Sequence, residues 1–170
     1  MSAYSATAAP AAVRRPGILT AAISIVVVTA LAAIANGVII ATGGKELIKQ
    51  LLENAGLGGV TDADLDVAAQ FLGYDSSDGL VSTFTTRGYL LAGSGALLLL
   101  FGVLMRKAAV YARVLVTVSA VLVMVFSVVI LADETTGTMA GLALLAILGG
   151  VLSIIFTWLP ANGRYAKAVR

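Results

Sequence analysis

Residues 43–86 read GGKELIKQLLENAGLGGVTDADLDVAAQFLGYDSSDGLVSTFTT, and this is the only long stretch of the chain whose residues suit water. Residues 45–55 put Leu47, Ile48, Leu51 and Leu52 at spacings of three and four, which is one face of a helix. Lys49 and Glu53 fall four apart on the other face. Gly56, Gly58 and Gly59 break that pattern, and Thr61-Asp62-Ala63-Asp64 restarts it with a capping hydroxyl and acids that suit the dipole of a first turn. A second short helix is predicted over 62–72, with Leu65, Ala68, Ala69 and Leu72 as its apolar face and Asp62, Asp66 and Gln70 turned outward. Residues 73–79, rich in Gly, Ser and Asp, end it as a linker. Two helices of about three turns bury too little to stand alone. The stretch is therefore expected to rest, as a cap, on whatever flanks it.

The flanks are membrane-like. Of 170 residues, 59% are apolar and only 12% charged, with a mean hydropathy of +1.01. A soluble domain has roughly 25% charged residues. Charge-free runs cover 16–44, 88–105, 114–132 and 135–163. Each reaches the roughly 18 residues that cross about 30 Å of hydrocarbon. The expected fold is an all-α integral membrane protein: an antiparallel four-helix transmembrane bundle, with spans at about 18–42, 83–105, 110–132 and 139–159. A short two-helix extracytoplasmic loop connects the first two spans, and tails occupy 1–15 and 164–170.

Charge sorting orients the bundle. Arg14, Arg15, Arg106, Lys107, Arg113, Arg164, Lys167 and Arg170 fall on one side with no acid. Lys45, Lys49 and Arg87 share the other side with all nine acids, the last two being Asp133 and Glu134. The positive-inside rule then places both termini in the cytoplasm and residues 43–86 outside a plasma membrane. The basic residues are few, scattered and accounted for by orientation, so nucleic acid is not an expected partner. The apolar run after Arg14-Arg15 is too long for the core of a cleavable signal, and the tail before it has a flexible composition.

The chain has no cysteine and no histidine. Thiol redox chemistry, disulfides, iron–sulfur clusters and the usual zinc or haem sites lose their ligands. Asp62, Asp64 and Asp66 have the opening spacing of a calcium loop, but Val67 stands where that loop needs glycine and Gly73 where it needs a bidentate glutamate. None of the four spans carries the ionisable group at depth on which proton- or ion-coupled transport depends. No catalytic, cofactor or metal site is expected.

Within the spans, Asn36 is the one strongly polar side chain of the first, and an amide in lipid needs a partner on another helix. Gly93, Ser94 and Gly95 form a small-residue patch in the second span; in the fourth, Gly141, Gly149 and Gly150 stand at small-xxx-small spacings with Gly137, Ser153 and Ala146. These seven residues are the candidate packing positions, with packing inside the bundle favoured over homodimerisation. Trp158 and Tyr165 suit the inner interface, Arg87 and Tyr89 the outer one, and Pro160 is expected to stop the last span.

Arg15-Pro-Gly-Ile-Leu-Thr-Ala-Ala22, Arg106-Lys-Ala-Ala-Val-Tyr-Ala-Arg-Val-Leu115 and Trp158-Leu-Pro-Ala-Asn162 with Tyr165 resemble the span flanks of a broad group of small four-span membrane proteins of actinobacteria. That resemblance implies the same topology in the plasma membrane of a Gram-positive cell and supplies no activity.

Two functions compete. The favoured one is a non-enzymatic accessory, scaffold or interaction subunit that lies in the lipid bilayer and uses the loop to contact a membrane protein partner or a second copy. Its candidate surface is Leu47, Leu51, Leu65 and Leu72. The alternative is a small transporter, channel or lipid-handling protein with an uncharged path along Asn36, Ser94, Thr117 and Ser119.

Overall fold

The computed structural model describes residues 17–107, 109–133 and 135–168. The tail 1–15 with Arg14 and Arg15, together with Glu134 and Arg170, all of which enter the charge sorting, lie outside these residues. Among the described residues the elements run α1 Gly17–Asn54, α2 Asp62–Phe71, α3 Ser77–Leu104, a 3₁₀ turn Met105–Lys107, α4 Val110–Ala132, α5 Gly137–Trp158 and α6 Pro160–Ala168. Four helices, α1, α3, α4 and α5, are long and apolar enough to cross a membrane.

These four form a closed ring. α1 packs on α3 and α5, α4 packs on the same two, and α1 and α4 sit on the diagonal and barely touch. Neighbours are antiparallel: Gly37 lies against Ala92 and Ala41 against Gly88, while nearer the other end Val26 lies against Gly102. Along the axis, Leu19, Val26, Leu91, Leu98, Val116 and Val123 are buried. The outer faces are just as apolar, with Val28, Val118, Leu148 and Ile155 among the exposed residues. A helix apolar all round needs lipid or protein on every side, which is why these four helices read as a multi-pass membrane bundle.

One end of the ring carries the cap, and the other carries Arg106, Arg113, Arg164 and Lys167. We call them the cap end and the basic end. Two expected boundaries shift at the cap end. α1 does not stop near residue 42 but bends at Gly44, whose φ of 54° and ψ of −146° lie in a region that glycine tolerates and side chains resist. Its 38 residues therefore comprise the first span and the first loop helix in one kinked element. α3 starts at Ser77 rather than about Thr83, capped by Ser76, whose hydroxyl accepts from Gly79 N–H at 3.4 Å. Its 28 residues measure about 42 Å at 1.5 Å each, against about 30 Å of hydrocarbon. The first turns of α3 pack with the cap helices through Leu80, so part of the expected 73–79 linker is helix.

At the basic end the last span stops before Pro160, as expected, and Pro160 also opens a further helix. Leu159, held extended before proline at φ −58° and ψ 140°, breaks α5. Pro160 then takes the first helical position of α6, where its missing N–H costs nothing. Arg164 and Lys167, expected on a tail, lie on this helix.

Candidate functional site

The cap is built from the limb of α1 beyond Gly44, from α2 and from the first turns of α3. α2 begins with a complete capping box: Thr61 Oγ1 accepts from Asp64 N–H at 3.4 Å, and Asp64 Oδ2 accepts from Thr61 N–H at 2.8 Å. Its inner face sets Leu65 and Ala69 against Ile48 of α1 and Leu80 of α3. This contact is in water's reach, so it is hydrophobic in origin, and burying a leucine such as Leu65 contributes about 1.5–3 kcal/mol. Leu52, Val60, Tyr74 and Phe84 close its edges.

Polar contacts fix the same arrangement. Lys49 pairs with Asp62 at 2.8 Å and with Glu46 at 3.3 Å, rather than with Glu53, and so ties α1 to α2. Lys45 pairs with Asp78 at 2.9 Å and ties α1 to α3. Asp66, expected to face outward, accepts the Ser77 N–H at 3.0 Å and so caps α3 from α2. Each contact stabilises the charged form of its partner. Hydrogen bonding to Lys49, Thr61 and Ser77 holds Asp62, Asp64 and Asp66, in that order, below the ordinary aspartate range. Asp78 likewise raises Lys45. The three aspartates are thus spent on capping and pairing, an arrangement unlike a calcium loop.

The four candidate surface leucines separate. Leu47, Leu51 and Leu65 are buried inside the chain and offer nothing to a partner. The apolar stripe of a three-turn helix is mainly a packing face, and here it packs on the chain itself. Leu72 remains 61% exposed, and the other outward apolar residues are ones the helical stripe did not include: Leu57 at 58%, Val67 at 68% and Phe71 at 92%. Val67 and Phe71 stand four apart on the outer face of α2, so the two form one ledge with Leu72. Leu57, Leu72 and Phe71 border a shallow depression with Leu52 and Asp64. On the other side of Leu72 a second depression of about 250 Å³ runs down to Phe84 and Asp133 at the top of the bundle. At its floor Arg87 of α3 lies over the Phe84 ring at 5.6 Å and pairs with Asp133 at the end of α4 at 2.5 Å.

The candidate packing positions also divide. Asn36 is buried and its Nδ2 donates to the Met139 carbonyl of α5 at 3.2 Å, leaving Oδ1 without a partner. Such a bond between membrane helices contributes about 0.6 kcal/mol on average. Gly95 lies where a Cβ would be 3.0 Å from the Ala30 carbonyl of α1. Gly149 receives Thr29 and Gly150 receives Met124. Ser94 is buried but bonds the Leu91 carbonyl of its own helix at 2.8 Å. Gly93 and Gly141 face outward with open space before them, so they are not packing positions in this bundle.

The closest approach of one helix backbone to another is elsewhere. A Cβ on Gly37 would sit 2.5 Å from Ala92 N, and one on Gly88 2.6 Å from Ala41 N. Two glycine-xxx-alanine pairs, Gly37 with Ala41 and Gly88 with Ala92, therefore interlock α1 and α3. That spacing is in the sequence. It is hidden because Gly88 abuts Arg87, at the edge of the charge-free run.

At the basic end Arg113, counted among the charges that orient the bundle, is 5% exposed in the first turn of α4 and donates to the Asn162 carbonyl of α6. Thr117 sits at the α4–α5 edge, bonding the Arg113 carbonyl and receiving Trp158 Nε1–H at 2.9 Å.

Comparison of the chain with family models, with curated proteins and with solved structures returns no match.

Proposed function

We propose that this chain is a non-enzymatic accessory subunit of a membrane assembly, and that its cap docks on a partner protein at the membrane surface. The observation that carries this reading is the double use of α2. Its inner face is anchored by Leu65 and Ala69, while Val67 and Phe71 stand exposed on the other side, with Phe71 at 92%, and Leu72 stands exposed at its C-terminal end. An anchored helix that presents an aromatic and two aliphatic side chains to water is a rigid base for a contact centre.

The chemistry of the partner follows from the rim. Seven acids and two lysines lie between residues 43 and 86, and both lysines are engaged within the cap. A surface with an apolar centre and basic margins is complementary. A second copy is a poorer fit, because a two-fold contact would bring the same acids face to face. Lipid is a poorer fit too: helices that lie in the interface carry Lys or Arg on their polar face, and α2 has neither. The positive-inside rule puts the cap outside the cell, and the resemblance to actinobacterial four-span proteins makes that cell's plasma membrane the setting of the same proposal.

An uncharged path is less well supported. Asn36 and Ser94 bond backbone carbonyls, and Thr117 sits at an edge of the bundle beside Trp158. The test is purification from native membrane in mild detergent, comparing the parent chain with a Val67→Ser, Phe71→Ser double variant. A stoichiometric partner present with the first and lost with the second is expected, with unchanged thermal stability. A monomer in both preparations would contradict the proposal and make flux assays the next step.

A further inference from the structure

At the basic end four features converge that neither the cap nor the docking reading uses. α4 begins without a side-chain cap: Ala109 holds the N-cap position at φ −61° and ψ 142° and has no group to offer the N–H donors of the first turn. Val110, in that turn, lines a pocket of about 200 Å³ whose other walls are Arg113, Gly163, Ala166 and Lys167. Arg113 is 5% exposed, its Nε has no acceptor, and among the described residues it pairs with no carboxylate. Among the described residues its guanidinium donates to the neutral carbonyl of Asn162.

A guanidinium stays protonated in proteins, and a buried charge without a counter-charge is strongly unfavourable. Here the missing partner is an anion. The uncapped helix start favours negative charge by its dipole and its free N–H groups. Arg113 adds a planar donor, Lys167 adds a second cation, and no acid lines the pocket. Gly163 forms the wall beside Arg113, where a Cβ would stand at ordinary contact distance, 3.8 Å, from Arg113 Nη1.

We propose that this pocket binds a phosphate group, held by Arg113, Lys167 and the first turn of α4. The volume is below the roughly 300 Å³ of a drug-sized site, which suits one phosphate and its first ester linkage rather than a whole nucleotide. Trp158 and Tyr111, exposed at the same end of the bundle, are residues that favour the depth of lipid headgroups. The phosphate can therefore come from an anionic phospholipid in the adjoining leaflet or from solution.

The experiment uses the full chain, stripped of lipid in a neutral maltoside detergent. It is titrated separately with phosphatidylglycerol, phosphatidylcholine and inorganic phosphate, and bound adducts are counted by native mass spectrometry. One adduct per chain is expected with phosphatidylglycerol, weakened about tenfold or more in both Lys167→Gln and Gly163→Leu, since a charged hydrogen bond supplies that much. Lys167 is exposed on α6 and Gly163 lies beside Arg113, so an unchanged unfolding midpoint is required of both variants before their affinities are compared. The nearby exposed charge serves as the control, and Arg164→Gln should bind within about twofold of the parent chain. Saturable binding of inorganic phosphate with the same pattern of variants, and none of the lipid, would support the site and assign its source to solution. No stoichiometric adduct with either ligand would overturn the proposal and leave Arg113 as a clamp between α4 and α6. Equal losses in Arg164→Gln and Lys167→Gln would also overturn it, since the attraction would then be diffuse.

Discussion

Gly37 and Gly88 stand where a side chain would meet backbone on the neighbouring helix, so neither site can relax by moving a flexible group. Gly88→Leu should part α1 from α3 and cost about 1–3 kcal/mol or more, read as an earlier midpoint in detergent-driven unfolding. Gly141→Ala, with open space around its Cβ, should leave that midpoint unchanged, although both glycines lie in apolar spans. Asp66 offers a second single-residue test. Hydrogen bonding to Ser77, through its side chain and then its N–H, holds its pKa below 3.8. The stabilisation is therefore complete above 3.8 and lost as pH falls through the lower, folded-state value. The Ser77 amide resonance should titrate with a midpoint below 3.8 and should not titrate in that range in Asp66→Asn. Much at this scale was legible: the Thr61 cap, the glycine break at residues 56–59 and the inward Asn36 follow from residue type and spacing. Gly88 and Asp66 were not, because what matters at each is a neighbour brought close only by the fold.

At the scale of elements, the cap is one cooperative unit. Leu65 touches α1 and α3 at once through Ile48 and Leu80. Leu65→Ala should cost about 2–5 kcal/mol locally, seen as faster hydrogen exchange of α2 amides while those of α5 keep their protection. The periodicity predicted α2 closely, yet it could not say which side of a short amphipathic helix would be left for a partner. The stripe at Leu47, Leu51 and Leu65 went to the chain's own core, and the ledge at Val67 and Phe71 is formed by residues outside that stripe. Boundaries failed for a related reason. Hydropathy marks where a helix leaves lipid, while α1 and α3 both continue as helices into water, and Pro160 is as good a first residue of α6 as it is a stop for α5.

For the whole molecule, the four spans could be counted because charge-free runs of that length have few alternatives. Their ring order, with α1 against α3 and α5, rests on contacts between small residues that composition does not reveal. With no native cysteine, orientation can be tested by single substitutions in intact cells. Asp75→Cys on the cap should react with a membrane-impermeant maleimide, and Arg164→Cys at the basic end should react only after permeabilisation. The reverse pattern would invert the topology and remove the cap from the outside. The most direct test of the docking ledge is a photo-crosslinking amino acid in place of Phe71 in native membranes, compared with the same group in place of lipid-facing Ile155. One protein adduct of a single defined mass is expected at position 71 and none at 155. Adducts at position 71 that are lipid alone, or only a second copy of this chain, would contradict the docking reading.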